Sequence, residues 1–264
     1  MVDFQCDKAN AVENLRKLIA YLRSPEGCPW DKEQSHESIR RNFIEEVYEA
    51  CEAIDTKDTT LLLEELGDVL TQVIFHAQIE EERGNFTLND VAAATCEKLI
   101  SRHPHIFADK TVKNAAEVIS DWDDIKKQEK GQTTTTAAMQ AVANSLPATW
   151  RAEKVQEKAR KVGFDFTNTA DAMDKLVEEV AETRTVLDNN KDELQEEIGD
   201  VLFAAINVAR IAGIDPETAL NQSTDKFIKR FDFLEQTAAQ RGQALETLTL
   251  DEMERIYQEG KHRL

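Results

Sequence analysis

The sequence is short of residues that interrupt helices or staple loops together. Only 9 of its 264 residues are glycine and 5 are proline, aromatics make up 6%, and the 4 cysteines form no Cys-x-x-Cys pair. Few turn formers among many good helix formers predict an all-α protein. Cys6, Cys28, Cys51 and Cys96 are scattered singly, which argues against a zinc ribbon or a disulfide scaffold and predicts reduced thiols. Positive charge is also scarce. The 32 Lys+Arg face 51 Asp+Glu, and the formal net charge of −19 would repel DNA or RNA, so no polymeric nucleic-acid partner is expected. No uncharged apolar run approaches the ~18 residues of a membrane span, and no basic stretch followed by an apolar one opens the sequence. A soluble cytoplasmic protein with no membrane partner is the expectation.

What the sequence does contain, it contains twice. Glu45-Glu46-Val47-Tyr48-Glu49 returns as Glu178-Glu179-Val180-Ala181-Glu182. Glu64-Glu65-Leu66-Gly67-Asp68-Val69-Leu70 returns as Glu196-Glu197-Ile198-Gly199-Asp200-Val201-Leu202, in the same order and at nearly the same separation. Between the copies, Gly131-Gln132-Thr133-Thr134-Thr135-Thr136-Ala137 is polar and without apolar periodicity, and reads as a linker. Two tandem related helical-bundle domains are expected, 1–130 and 137–264, joined by 131–136. Helices are predicted near 8–23, 36–55, 60–83, 88–101 and 115–130, then near 147–161, 169–188, 191–212, 216–241 and 250–261. Asp215-Pro216 reads as an N-cap with proline at the first helical position, Gly242 as a helix stop, and Thr249 with Glu252 as a capping box.

Residues three apart share a helix face, so Glu179 with Glu182, and Glu197 with Asp200, each point two carboxylates one way. A single such pair is ordinary on a wet surface. Here, however, Ile198 to Ile214 is apolar around nearly its whole circumference, with Asp200 and Arg210 as its only charges, and predicts a helix inside a bundle. A carboxylate placed there needs a cation or a proton. Two antiparallel helices would aim four carboxylates at one point. Without a histidine at the i+3 position, the donor set is hard and all-oxygen, suited to Mg²⁺ or Mn²⁺ rather than to a di-iron bundle. Such ions usually share their remaining positions with water and substrate phosphates. Lys175 precedes Glu178 by one turn, and Lys226, Lys229 and Arg230 occupy one turn of a later helix, where they could clamp phosphate oxygens. The residues alone leave a second reading open, a non-catalytic acidic helical scaffold or regulator whose Mg²⁺ sites are structural.

Glu-Glu-x-x-Glu followed by Glu-x-x-Asp resembles the signature of the all-α nucleotide pyrophosphohydrolases, and its duplication resembles the MazG family. The likeness extends to Gly27-Cys28-Pro29-Trp30-Asp31-Lys32-Glu33-Gln34, Arg102-His103-Pro104-His105-Ile106-Phe107 and Lys161-Val162-Gly163-Phe164-Asp165-Phe166. The resemblance implies a homodimeric enzyme that uses Mg²⁺ to hydrolyse nucleoside and deoxynucleoside triphosphates between the α and β phosphorus. The products are monophosphate and pyrophosphate, base tolerance is broad, and activity belongs to the C-terminal half. By motif position it implies Glu179, Glu182, Glu197 and Asp200 as metal ligands. Lys175, Glu178, Glu196, Lys226 and Arg230 would contact the nucleotide, Tyr257 would lie near the base, and Glu178 would orient or deprotonate the attacking water. A basic residue expected four before Glu197 is replaced by Glu193. The first half keeps Glu46, Glu49, Glu65 and Asp68, a second metal site, and matches Lys98 and Arg102 to Lys226 and Arg230. Asn42 stands where the second copy has Lys175, so a weak or regulatory N-terminal site is expected. His103-x-His105, interrupted by Pro104, reads as a loop contact. Cys28-Pro29-Trp30 reads as an apolar turn, and Trp122 and Trp150 as packing residues.

Overall fold

In a computed structural model, the described residues are 7–263 apart from 116, 119–121, 123, 124, 126–128, 130 and 132. Among them every regular element is helical and none is a strand. No helix of the described residues is long and apolar enough to cross a membrane. The chain divides into two units, Met1–Ile125 and Lys126–Leu264.

The first unit opens with a 3-10 turn, Lys8–Asn10, and continues with α1 (Ala11–Arg23), α2 (Pro29–Glu33), α3 (His36–Thr56), α4 (Thr59–Glu82), α5 (Leu88–Ser101) and α6 (Pro104–Phe107). Local chemistry sets the ends. Ser35 and Ser38 form a reciprocal capping box at the start of α3. Lys57 leaves α3 in the left-handed conformation at φ 57°, and Asp58 at once accepts from the amides of Thr60 and Leu61 to start α4. That abrupt reversal makes α3 and α4 an antiparallel hairpin. Its core joins Ile19, Ile39, Ile74, Phe75 and Ile79. Arg23, buried across this core, donates to both Glu82 oxygens at 2.9 Å and to the carbonyls of Asp31 and Gln34, which ties the one-turn helix α2 to α1 and α4. Gly27 is required here, because a Cβ would collide with the carbonyl oxygens of Tyr21 and Leu22. The helix predicted at 115–130 lies largely outside the described residues.

The second unit contains α7 (Thr135–Gln140), α8 (Ala148–Arg160), α9 (Thr169–Thr185), α10 (Lys191–Ile211), α11 (Pro216–Gln240), a 3-10 turn at Leu245–Thr247, and α12 (Leu250–Arg263). Asn168 caps α9 and Asn190 caps α10, so the α9–α10 pair repeats the α3–α4 hairpin. Asp215 with Pro216 starts α11 as read from sequence, Gly242 stands at φ +67° after it, and Thr249 and Glu252 form the expected reciprocal bonds. Thr135 and Thr136, part of the stretch read as linker, belong to α7, whose N-cap is Thr134. The core of this unit joins Leu234, Ala238, Leu248 and Ile256, across α11 and α12. Arg210 is buried on α10 and bound by Asp165, Asn207 and Glu157.

One expectation is corrected. Of α10 only Ala204 is buried, while Ile198, Leu202 and Phe203 are 46%, 59% and 45% exposed. Its circumference is apolar, but within one copy of the chain only the sides against α8, α9 and α11 are covered. Among the described residues, α10 is therefore not enclosed as the bundle interior that periodicity predicted.

Candidate metal centre and nucleotide site

The hairpin geometry brings acids from two helices together. Glu179 of α9 and Glu197 and Asp200 of α10 each place one carboxylate oxygen within 4.8 Å of the others. Glu179 is buried, Glu197 half-buried and Asp200 exposed, so the cluster runs from the interior out to solvent. Thr183 stands between the two helices at this level: its hydroxyl donates to the Glu179 carbonyl of its own helix at 2.8 Å and lies a longer 3.4 Å from the Glu197 carbonyl. Buried beside them, Glu197 Oε2 has no hydrogen-bond partner. A buried carboxylate oxygen without a donor is costly, and a hard cation would relieve it. The donor set thus fits an oxygen-liganded divalent ion.

Lys175 stands one turn earlier, with Nζ 2.8 Å from Glu178 Oε1 and 2.7 Å from Glu179 Oε1. Hydrogen bonds to these two carboxylates raise its pKa well above the ordinary lysine value. Glu182 is exposed and lies outside the three-acid cluster, although it is a neighbour of Glu179. Desolvation first, and then the Glu179 charge, push its carboxyl up, with Lys175 pulling the other way. The four-carboxylate convergence read from spacing is therefore three plus a close neighbour.

The first unit repeats the cluster with Glu46, Glu49 and Glu65, of which Glu65 is buried. Here Asp68 is the outlying acid, its charge felt at Glu46. Both Glu46 and Glu65 are raised, desolvation first and neighbouring carboxylates after it, with no lysine among the causes. Asn42 occupies the place of Lys175.

The remaining nucleotide-site candidates sit on other elements. On α11 and α12, the Arg230 guanidinium lies 5.9 Å from the Tyr257 ring centroid and the Phe227 ring, tilted by 45°, lies 5.8 Å from the same ring, with Lys226 exposed one turn before Arg230. Glu196 is exposed on α10. Sequence reading missed a parallel in the first unit, where Arg102 is buried with its guanidinium 5.1 Å from the Trp122 ring. The basic residue and the aromatic are spaced differently in the two halves, so no motif marks the correspondence. His103 Nδ1 contacts the Leu99 carbonyl at 2.6 Å, a local contact of the kind expected, and neither His103 nor His105 joins an acidic cluster.

The sequence profile of the MazG nucleotide pyrophosphohydrolase domain matches residues 34–107 and 167–232, which include both carboxylate hairpins. The nucleoside triphosphate pyrophosphohydrolase of Escherichia coli (strain K12) is 42% identical over 258 residues, covering 96% of this chain and 97% of that protein. A protein named nucleoside triphosphate pyrophosphohydrolase/pyrophosphatase MazG from Thermotoga maritima is 42% identical over 249 residues, 94% of this chain and 95% of its own. The uncharacterized protein YabN of Bacillus subtilis is 45% identical over 248 residues, 93% of this chain but 50% of its own. With both hairpins matched and relatives aligned along nearly the whole length, this chain is an enzyme of the MazG nucleotide pyrophosphohydrolase family.

Proposed function

We propose that the chain is a Mg²⁺-dependent nucleoside triphosphate pyrophosphohydrolase. It cleaves ribo- and deoxyribonucleoside triphosphates between the α and β phosphorus with broad base tolerance, and serves nucleotide-pool control in the cytoplasm. The names of its full-length relatives support the reaction. One observation carries the assignment of the centre: Glu197 Oε2 is buried without a donor inside a ring of acids that also includes Glu179 and Asp200.

In this reading Glu179, Glu182, Glu197 and Asp200 hold Mg²⁺, with Mn²⁺ as an acceptable substitute. When bound, the ion neutralises phosphate charge and acidifies a water. The protein's own groups do the rest. Lys175 stays cationic, and its contact with Glu178 is exchangeable: a phosphate oxygen that takes the lysine releases Glu178 to orient or deprotonate the water. Lys226 and Arg230 hold the outgoing pyrophosphate, Tyr257 faces the base, and Glu196 contacts the nucleotide. The exposed apolar residues Val177, Val180, Ile198, Leu202 and Phe203 support a homodimer that covers this hairpin face, since a patch of this kind on a soluble protein marks an interaction surface. The first-unit acids form a second, weaker metal site with a regulatory role.

The test is product analysis. With Mg²⁺ and ATP, the protein should release AMP and pyrophosphate in equal amounts and lose turnover in EDTA. Release of ADP and orthophosphate would overturn the assignment.

A further inference from the structure

We propose that His36, His76 and Glu80 form a proton-sensitive latch that fastens the start of α3 to the last turns of α4 in the first unit. His36 is the first residue of α3, and His76 and Glu80 lie one turn apart on α4. The two imidazoles stack with centroids 5.0 Å apart and planes 10° from parallel, and their Nδ1 atoms are 2.6 Å apart. His36 Nε2 lies 2.6 Å from Glu80 Oε1. Arg83 and Asn85 donate to the same carboxylate at 2.7 and 2.6 Å.

Proton bookkeeping shows what this arrangement tolerates. Glu80 accepts from three side chains and is ionised, with its pKa held down to about 2, chiefly by the His36 bond. The hydrogen between it and His36 therefore sits on Nε2. Only one hydrogen fits between the two Nδ1 atoms. Two hydrogens on two rings make both histidines neutral, and these positions are then full. A third proton has one nitrogen left, His76 Nε2, which is buried and has no partner. Charging the pair would place an N–H without an acceptor, and an imidazolium, in a desolvated site. Burial, and then the His36 charge, accordingly lower the His76 pKa.

The charged groups around the pair are already engaged. Phe43 of α3 covers His76 at 5.5 Å. On α3, Glu37 accepts from Ser35, and on α4, Arg83 is bound to Glu80 itself. From α1, Arg16 and Arg23 are engaged by Glu81 and Glu82, and from α5, Asp90 caps its own helix. Acid therefore opens the latch rather than charging it in place. A histidine with a depressed folded pKa stabilises the closed form fully above its ordinary value of about 6.5 and ceases to do so as pH falls through the folded value.

The latch closes the open end of the hairpin that carries Glu46, Glu49 and Glu65, so its release loosens the first unit's acidic cluster. The second unit has no such device. At the equivalent repeat positions it carries Thr169, Val208 and Ala212.

The experiment uses the full chain without added metal. Histidine Cε1–H resonances are followed by NMR from pH 8 to pH 5, alongside hydrogen exchange of the α3 and α4 amides. The expected result is that His76 titrates below the ordinary histidine value of about 6.5, because burial disfavours its charged form. In the same interval, amides at the start of α3 and the end of α4 should lose protection while those of α9 and α10 keep theirs. His76→Phe, which keeps a ring but cannot titrate, should lose the pH dependence of α3 and α4 protection between pH 7 and pH 5. Should that variant fail to fold, the wild-type titration decides alone. A His76 titrating at or above the ordinary value, or protection that is flat through its titration, would overturn the latch.

Discussion

The two hairpins carry their acids at the same repeat positions, yet their charge environments differ at the residue a turn before the first clustered glutamate. In the second unit Lys175 touches Glu178 and Glu179. In the first, Asn42 stands at that place, and burial first, with neighbouring carboxylates after it, raises the Glu46 and Glu65 carboxyls. The second cluster carries its own cation, Lys175, whereas the first meets no lysine and two of its carboxyls, Glu46 and Glu65, hold protons to a higher pH than an ordinary carboxylate. The repeat thus keeps the acids in both halves and changes the residue beside them.

The sharpest way to break this comparison is to remove one ligand from each half. Glu179→Gln or Asp200→Asn should lower kcat/KM about 10³-fold with helical circular dichroism unchanged, because a lost metal contact removes several kcal/mol of transition-state stabilisation. Glu46→Gln should stay within about threefold of wild type, since it touches only the proposed auxiliary site. Reversed magnitudes would assign catalysis to the first half.

Next in size is the cation. Lys175→Gln removes charge-assisted bonds worth about 1.5–3 kcal/mol, a loss of roughly 10- to 100-fold in kcat/KM. The converse substitution, Asn42→Lys in a Glu179→Gln background, should raise residual hydrolysis. An unchanged residual rate would mean that the missing lysine is not what weakens the first cluster.

A smaller effect concerns pH. Mn²⁺ binding followed by electron paramagnetic resonance in Glu179→Gln reports the first cluster, and in Glu46→Gln the second. Because two acids of the first cluster are raised against Glu182 alone beside the second, protons compete there up to a higher pH. The first cluster should therefore release Mn²⁺ earlier as pH falls, and coincident release curves would remove the distinction.

The least effect is on stability. Ile74→Val and Ile256→Val each trim one buried methylene from a different core, and each should cost about 0.5–1.5 kcal/mol by calorimetry. If the units melt separately, each variant should lower one transition only.

Long elements were legible from capping and periodicity. The starts of α3, α5, α9, α10 and α11 coincide with the predicted ones, and Asp215, Gly242 and Thr249 act as read. The short helices α2, α6 and α7 were not, because a one-turn helix is held by tertiary partners. Arg23 reaching the Asp31 carbonyl is the example. The apolar circumference of α10 signalled that Leu202 and Phe203 need covering, but periodicity carries no information on what covers them. The acids of the site were found by spacing, yet spacing alone could not separate Glu182 and Asp68 from the six that converge. The role of Glu197 Oε2 was invisible, since burial of one atom depends on the neighbouring helix. The Arg102–Trp122 pair escaped because the two residues approach only through the fold.

Thr183 bridges the carbonyls of Glu179 and Glu197, and its repeat counterpart in the first unit is Ala50, which has no hydroxyl to give. The second hairpin thus has a polar side chain between its helices where its acids meet, and the first has a buried alanine there. A stiff oxygen cage favours a small ion that demands short octahedral bonds, whereas a slack one also admits a larger ion with irregular coordination. Discrimination between magnesium and calcium should accordingly reside in the half of the molecule that carries this threonine, and Thr183→Val should narrow it.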